Sequence, residues 1–112
     1  MLDNIGAGAE QYMNLLSARQ KLVASNIANA DTPGYQTKDI DFRTELQSRM
    51  EGFKPNVVEV SGLKTKNDGN NVDIDREARL LAENALRFSV AENLAHSEIS
   101  TIRTAIEEGG KV

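Results

Sequence analysis

Apolar positions follow a helical period at both ends of this chain and lose it in between. From about Glu10 to Ala30 no Gly or Pro interrupts the sequence, and Tyr12, Leu15, Leu16, Leu22, Val23 and Ile27 recur at spacings of three, four and seven. Those spacings place them on one face of a helix. Gly6 and Gly8 weaken the turns before it, so its start is expected to fray. Pro33 turns Thr32 away from helical angles, and Pro33-Gly34 suits the central pair of a type II turn. The first helix is therefore predicted to end near Asp31.

The second periodic segment is the stronger one. From Ile74 to Glu108 there is no Gly or Pro. Ile74, Ala78, Leu81, Ala85, Phe88, Glu92, Ala95, Ile99, Ile102 and Ile106 follow alternating steps of four and three, and only Glu92 among them is polar. This is an a/d seam of the kind that pairs helices. Asp73 or Asp75 can cap the start, where an anion also meets the positive end of the helix dipole. Gly109-Gly110 is the expected stop. Such a helix is roughly 50 Å long at ~1.5 Å per residue, more than a compact domain of this size needs.

Between the helices, the segment from Asp31 to about Val72 holds both prolines and a mixture of short signals. Asp41 to Arg49 can make two helical turns with Phe42 and Leu46 on one side. Val57-Val58-Glu59-Val60 is β-branched and suits a strand. Asn67-Asp68-Gly69-Asn70-Asn71 is a turn cluster. The sequence thus predicts an all-α protein: an N-terminal helical segment over 1–31, an irregular excursion with minor β content over 32–72, and a C-terminal helical segment over 73–112. The seam Ala78, Leu81, Ala85, Phe88, Ala95, Ile99, Ile102 and Ile106 is expected to pair with Leu15, Leu16, Leu22, Val23 and Ile27 as an antiparallel coiled coil. Leu86, Val90 and Leu94 lie off that seam and are left for neighbouring molecules. Two helices alone do not close a core, and long helices without partners are marginal.

Composition supports this and removes several function classes. The 112 residues are 39% hydrophobic and only 4% aromatic, with no Trp. Small and aliphatic side chains must do the packing, or partners must complete it. A net charge of −4 argues against a nucleic-acid or anionic-membrane binder. The absence of Cys excludes disulfides, iron–sulfur clusters and thiol nucleophiles. No run approaches the ~18 apolar residues of a membrane span. The start, Met1-Leu2-Asp3-Asn4-Ile5-Gly6, has no basic leader followed by an apolar block, so no cleaved secretory signal is expected.

Catalytic and metal chemistry find little to stand on. His96 follows Glu92 by four residues, but one such pair is not a di-metal site, which takes Glu-x-x-His twice with further glutamates. Ser97 and Ser100 flank His96 on a helix, with no sharp turn to expose a nucleophile. Asp39-Ile40-Asp41 and Asp73-Ile74-Asp75 lack the full ligand set of a calcium loop. No enzyme, no cofactor and no metal are expected.

The unusual segment is Ser25-Asn26-Ile27-Ala28-Asn29-Ala30-Asp31-Thr32-Pro33-Gly34-Tyr35. Helix termination and a Pro-Gly turn account for Asn29 through Gly34. They do not account for carboxamides at Asn26 and Asn29 set among small residues. Those amides share a face and are expected to satisfy backbone groups of an adjacent element, while Ala24, Ser25, Ala28 and Ala30 admit a close neighbour. The segment reads as a tight packing joint specified by polar groups.

This segment resembles the N-terminal signature of bacterial flagellar basal-body rod and hook proteins. With Lys38-Asp39-Ile40-Asp41-Phe42 after it, it is most similar to the proximal-rod type. A second block agrees: Asp68-Gly69-Asn70-Asn71-Val72-Asp73-Ile74-Asp75-Arg76-Glu77, then Leu81-Ala82-Glu83-Asn84-Ala85-Leu86-Arg87-Phe88, and the closing Ile102-Arg103-Thr104-Ala105-Ile106. Residues 43–67 depart from the pattern, and the chain is short for the family. The resemblance implies a structural subunit of the periplasmic rod, exported through the flagellar type III apparatus without a cleaved signal. It implies the other rod proteins, the ring–rod junction protein and the membrane ring with its export-gate base as partners. It implies no nucleic acid and no direct lipid contact. Heptads and composition alone also fit a soluble helical adaptor or export chaperone that holds a partner helix in a groove; the Asn-rich joint with its Pro-Gly turn does not.

Overall fold

The structure, a computed structural model, describes residues 2–48 and 55–109. Two long helices dominate it: α1, Leu2–Ala28, and α3, Ile74–Gly109. Between them lie β1 (Lys38–Ile40), the short helix α2 (Phe42–Ser48) and β2 (Val57–Glu59). The strands pair antiparallel, with Lys38 opposite Glu59, Asp39 opposite Val58 and Ile40 opposite Val57. The molecule measures 72 × 25 × 18 Å with a radius of gyration of 18.6 Å, against ~13 Å for a compact domain near this length. It is a rod-shaped subunit.

Local chemistry sets each boundary. α1 begins at Leu2, well before Glu10, and stops at Ala28 rather than at Asp31. At its end the ladder tightens: the Ser25 carbonyl accepts both the Asn29 N–H at 3.0 Å and the Asn29 side-chain amide at 2.8 Å, and the Ala30 N–H turns to the Ile27 carbonyl at 3.2 Å. The Tyr35 N–H then donates to the Thr32 carbonyl at 3.2 Å across Pro33-Gly34, with Gly34 at φ +76°. Positive φ at the third turn position is what a type II turn demands of glycine. Asp41 caps α2, its Oδ1 accepting from the Thr44 N–H at 3.3 Å while its Oδ2 accepts from the Thr44 hydroxyl at 2.8 Å. Phe42, the first residue of α2, meets Tyr12 edge-on at 5.6 Å between ring centroids, which ties α2 to α1. Asp73 caps α3, its Oδ1 accepting from the N–H groups of Asp75 and Arg76 at 3.0 and 3.3 Å. Arg49 and Gly110, expected as helix ends, lie outside the described residues.

Among the described residues the buried set is Leu15, Leu16, Val23, Ile40, Val72, Leu80 and Ala91 on the apolar side. An equal number is polar: Asn26, Thr37, Asp39, Asn70, Asn71, Glu77 and Asn84. With parity between the two, hydrogen bonding rather than buried area alone dictates how the elements meet. Glu77 meets Asn26 and Asn84 meets Leu16 and Gln20, so contacts move back along α1 as α3 advances.

The packing row on α3 differs from the expected seam. The buried positions are Glu77, Leu80, Asn84 and Ala91, in the main one residue earlier than the apolar heptad. Ala78 and Ala85 are exposed, Leu81 is 38% exposed and Ile106 69% exposed. Phe88, Ala95 and Ile102 are half-buried, and the Ile99 side chain lies outside the described residues. On α1, Leu15, Leu16 and Val23 are buried as expected of a packing face, Leu22 is half-buried, and Ile27 is 39% exposed. The cause of the offset is polar. Asn84 donates to the Leu16 carbonyl at 2.8 Å, and Glu77 accepts from Asn26 at 3.2 Å. These two bonds rotate α3 so that a carboxylate and an amide, not the aliphatic row, face α1.

Candidate functional site

The signature segment and the loop before α3 meet at one end of the rod. Asn26, two residues before the end of α1 and fully buried, uses its whole hydrogen-bonding capacity there. Its Nδ2 donates to the Lys38 carbonyl at 2.8 Å and to Glu77 Oε2 at 3.2 Å. Its Oδ1 accepts from the Lys38 N–H at 3.1 Å and from the Tyr35 hydroxyl at 3.0 Å. One side chain thus joins the end of α1, the start of β1 and the first turn of α3. Ser25 Oγ lies 3.3 Å from the Tyr35 hydroxyl, and the Lys38 ammonium stands over the Tyr35 ring at 5.8 Å.

The turn cluster supplies a second layer. Asn70 Nδ2 donates to the carbonyls of Asn29 and Thr32, each at 2.8 Å, and its Oδ1 accepts from the Val72 N–H at 2.8 Å. Asn71 Oδ1 accepts from the Thr37 N–H, and its Nδ2 donates to Gln36 Oε1 at 3.0 Å. The Gly34 N–H donates to the Asp68 carbonyl at 2.9 Å. Gly69, at φ +85°, comes so close to Gly34 that an added Cβ would sit 3.4 Å from the Gly34 Cα. Positive φ favours glycine at both positions, and only at Gly69 would an added Cβ also meet the other backbone.

A charge network lies beneath both layers. Arg19 on α1 forms a two-pronged pair with Asp39, Nε to Oδ1 at 3.2 Å and Nη2 to Oδ2 at 3.0 Å. Arg76 reaches Asp39 Oδ2 at 2.8 Å and Glu77 Oε1 at 2.6 Å. Two cations and two anions offset one another among side chains only 0–17% exposed. Asp39 also accepts from the Ile40 N–H at 2.8 Å, so the hub is locked to its own strand.

Of the signature residues, the joint brings together Ser25, Asn26, Asn29, Ala30, Thr32, Gly34 and Tyr35; Ala30 offers its carbonyl to the Lys66 ammonium at 3.3 Å. Ile27, Ala28, Asp31 and Pro33 point outward. Asn26 serves the backbone of β1. The Asn29 side chain instead serves its own chain, accepting from the Thr32 hydroxyl at 3.0 Å while bonding back to Ser25. Sequence reasoning did not assign Arg19, Asp39, Asn70, Asn71, Arg76 or Glu77 to the joint. Their signal was present, since the blocks 38–42 and 68–77 stood out by resemblance, but no local spacing links residues this far apart. His96 and Glu92 are both exposed. Among the described residues no group of three or more His, Cys, Asp or Glu is placed to hold a metal ion. None of the described helices is long and apolar enough to cross a membrane.

What this site can do is mechanical. It fixes the angle at which the chain leaves α1 and re-enters α3, and it leaves long apolar rows uncovered. Such an arrangement defines a structural subunit built for assembly. The family model described as flagella basal body rod protein matches residues 9–36, the span that ends in the signature. The flagellar basal body rod protein FlgB of Escherichia coli K12 is 31% identical over 97% of this chain and 99% of its own length. FlgB of Salmonella typhimurium is likewise 31% identical over 97% of this chain and 99% of its own length. FlgB of Borrelia hermsii is 30% identical over 88% of this chain and 93% of its own length. The chain belongs to the FlgB family of flagellar basal-body rod proteins. It is a structural component of the basal-body rod. The first two alignments run over 137 positions against 112 residues here, so those relatives carry extra residues within the matched span.

Proposed function

We propose that this protein is a subunit of the proximal rod, assembling through its terminal helices to connect the membrane ring and export base to the distal rod. α1 and α3 form the antiparallel coiled coil of an inner layer, and neighbouring rod subunits cover the apolar rows that the coil leaves open. The ring–rod junction protein, the export-gate base and the next rod proteins are its partners. The chain reaches the periplasm through the flagellar export apparatus.

The observation that carries this reading is the polar joint formed from the signature residues. Asn26 and Asp39 hold three elements at a fixed angle, and a tube made of repeated subunits needs each copy to present the same angle. The exposure of Leu86, Val90, Leu94 and Ile106, each at 51% or more, supplies surface for neighbours.

Complementation tests it. In a flagellated strain lacking its own copy, this chain is expected to restore swimming and to be recovered in purified basal bodies with its N-terminal residues intact. Swimming restored without the chain in the basal body would point instead to an adaptor or chaperone.

A further inference from the structure

The two-stranded sheet has one closed edge and one open edge. On β1 the N–H and the carbonyl of Lys38 point away from β2, and the Asn26 side chain takes both. Lys38 and Glu59 are therefore opposed without bonding to each other, while one step along the Val60 N–H donates to the Thr37 carbonyl at 2.9 Å. The same alternation turns the N–H and carbonyl groups of Val57 and Glu59 outward, on the side of β2 away from β1. Among the described residues nothing bonds to them there. Four main-chain groups in a row, two donors and two acceptors, form a template that fits an extended backbone. Val57 and Val58 stand 48% and 40% exposed beside it.

A groove lies under the same strand. It encloses about 410 Å³, with Ser17, Lys21 and Leu22 of α1 on one side and Ile40, Pro55 and Val57 on the other. Ile40 and Val57 are opposed in the sheet, so they share this face. A strand added along the open edge sets every second side chain on that face, over the groove. Main-chain bonds and a pocket for alternate side chains are the two parts of recognition by strand addition. Lys21 is exposed, and among the described residues no carboxylate pairs with it, so the rim of the groove favours an acidic group.

A second copy does not meet these demands. The one open strand edge it offers among the described residues is its own β2, and two copies joined through the same edge meet about a twofold axis. Such a contact closes a pair and cannot repeat along a rod that runs from a base to a distal end.

Resting on the reading of the chain as a rod subunit, we infer that the open edge of β2 takes up an extended segment of a different protein as a third strand. The segment's backbone bonds to Val57 and Glu59, an apolar side chain enters the groove, and a carboxylate near it meets Lys21.

Proline distinguishes the two edges. Glu59→Pro and Val57→Pro each delete one outward N–H and leave the bonds to β1 in place. Each variant is supplied as the only copy in a flagellated cell, and its amount in purified basal bodies is compared with the parent. Glu59→Pro is expected to melt within a few degrees of the parent and to be recovered about fivefold less, the loss of about one hydrogen bond. Glu59→Ala keeps its N–H and is expected to match the parent. Parent-level recovery of both proline variants would overturn the proposal. Hydrogen exchange needs no substitution: the Val57 and Glu59 amides of the parent are expected to exchange at least about tenfold more slowly in basal bodies than in the free chain. Unchanged exchange would overturn the proposal even if the proline variants misfold. The chain has no cysteine, so Val58→Cys reads out the other occupant. Disulfide-linked dimers of that variant in oxidised basal bodies would place β2 against its own copy and overturn the proposal. Lys21→Glu is expected to lower recovery about threefold, as one exposed charge contact becomes repulsive, and equal recovery would overturn the charge assigned to the occupant. Absence of the parent chain from basal bodies would instead sink the reading as a rod subunit.

Discussion

Asn26 on α1 and Lys38 on β1 meet as two paired strands would. The side-chain amide donates to the Lys38 carbonyl at 2.8 Å and accepts from the Lys38 N–H at 3.1 Å. A helix side chain thus closes the edge of β1 that faces away from β2. The same amide holds Glu77 and Tyr35, so a local bond becomes a three-way connection.

Asn26→Ala removes both donors and both acceptors at a fully buried position. It is expected to destabilise the protein by about 2–4 kcal/mol, since each stranded polar group costs ~1–3 kcal/mol. Urea unfolding followed by circular dichroism measures it. A loss below about 0.5 kcal/mol would show that the joint does not hold the helices.

Asp39→Asn leaves Arg19 and Arg76 facing each other across a neutral amide. Breaking a buried ion pair by removing one partner typically costs ~3–5 kcal/mol. The arginines retain 15–17% exposure, so the expected loss is smaller, about 2–3 kcal/mol. A double-mutant cycle with Arg19→Met is expected to recover part of it, because Arg19 pairs with Asp39 whereas Arg76 keeps Glu77, so this second change removes the stranded cation.

Leu80 and Leu81 are neighbours with opposite fates. Leu80 is 9% exposed and Leu81 38%. Leu80→Asp is expected to unfold or strongly destabilise the isolated chain, by about 3 kcal/mol or more. Leu81→Asp is expected to leave its melting curve within a few degrees of the parent while abolishing swimming. Equal destabilisation by both would mean that α3 is rotated from the orientation described here.

Gly34→Ala and Gly69→Ala each place a side chain at positive φ, costing about 1 kcal/mol. Gly69→Ala adds a Cβ 3.4 Å from the Gly34 backbone, whereas nothing lies within 4 Å of a Cβ at Gly34. The larger loss is expected at Gly69, by thermal melting of the two variants side by side.

Native-state hydrogen exchange is expected to be graded along the rod. Amides of α1 from Leu15 to Asn26 and of α3 from Glu77 to Ala91 flank every buried position of the two helices and should exchange slowly. Those from Thr101 to Gly109, where only Ile102 is even half-buried, should exchange fastest. Uniform protection along α3 would contradict the joint as the dominant anchor.

The elements other than β1 were legible because each depends on neighbours in sequence; β1 exists by pairing with β2, seventeen or more residues away. Apolar spacing revealed the long helices, Asp73 marked the start of α3, and Pro33-Gly34 marked the turn after α1. The rotation of α3 was not legible. A count of apolar positions favours Leu81 and Ala85, whereas the buried row contains Glu77 and Asn84, whose partners lie on another helix. The charge hub was hidden for the same reason: Asp39 stands 20 residues from Arg19 and 37 from Arg76. Asn26 was visible as an anomaly because helix termination gave it nothing to do.

The chain is pinned twice where it leaves and re-enters the rod, first by the contact of Gly34 with Gly69, then by the pairing of β1 with β2. Beyond that double neck α2 is tied back to the shaft by Phe42 against Tyr12, so chain added after α2 can lengthen without pulling on it. Doubling a flexible stretch there costs only ~0.6 kcal/mol of closure entropy. Chain inserted after α2 would therefore leave the shaft's gauge unchanged.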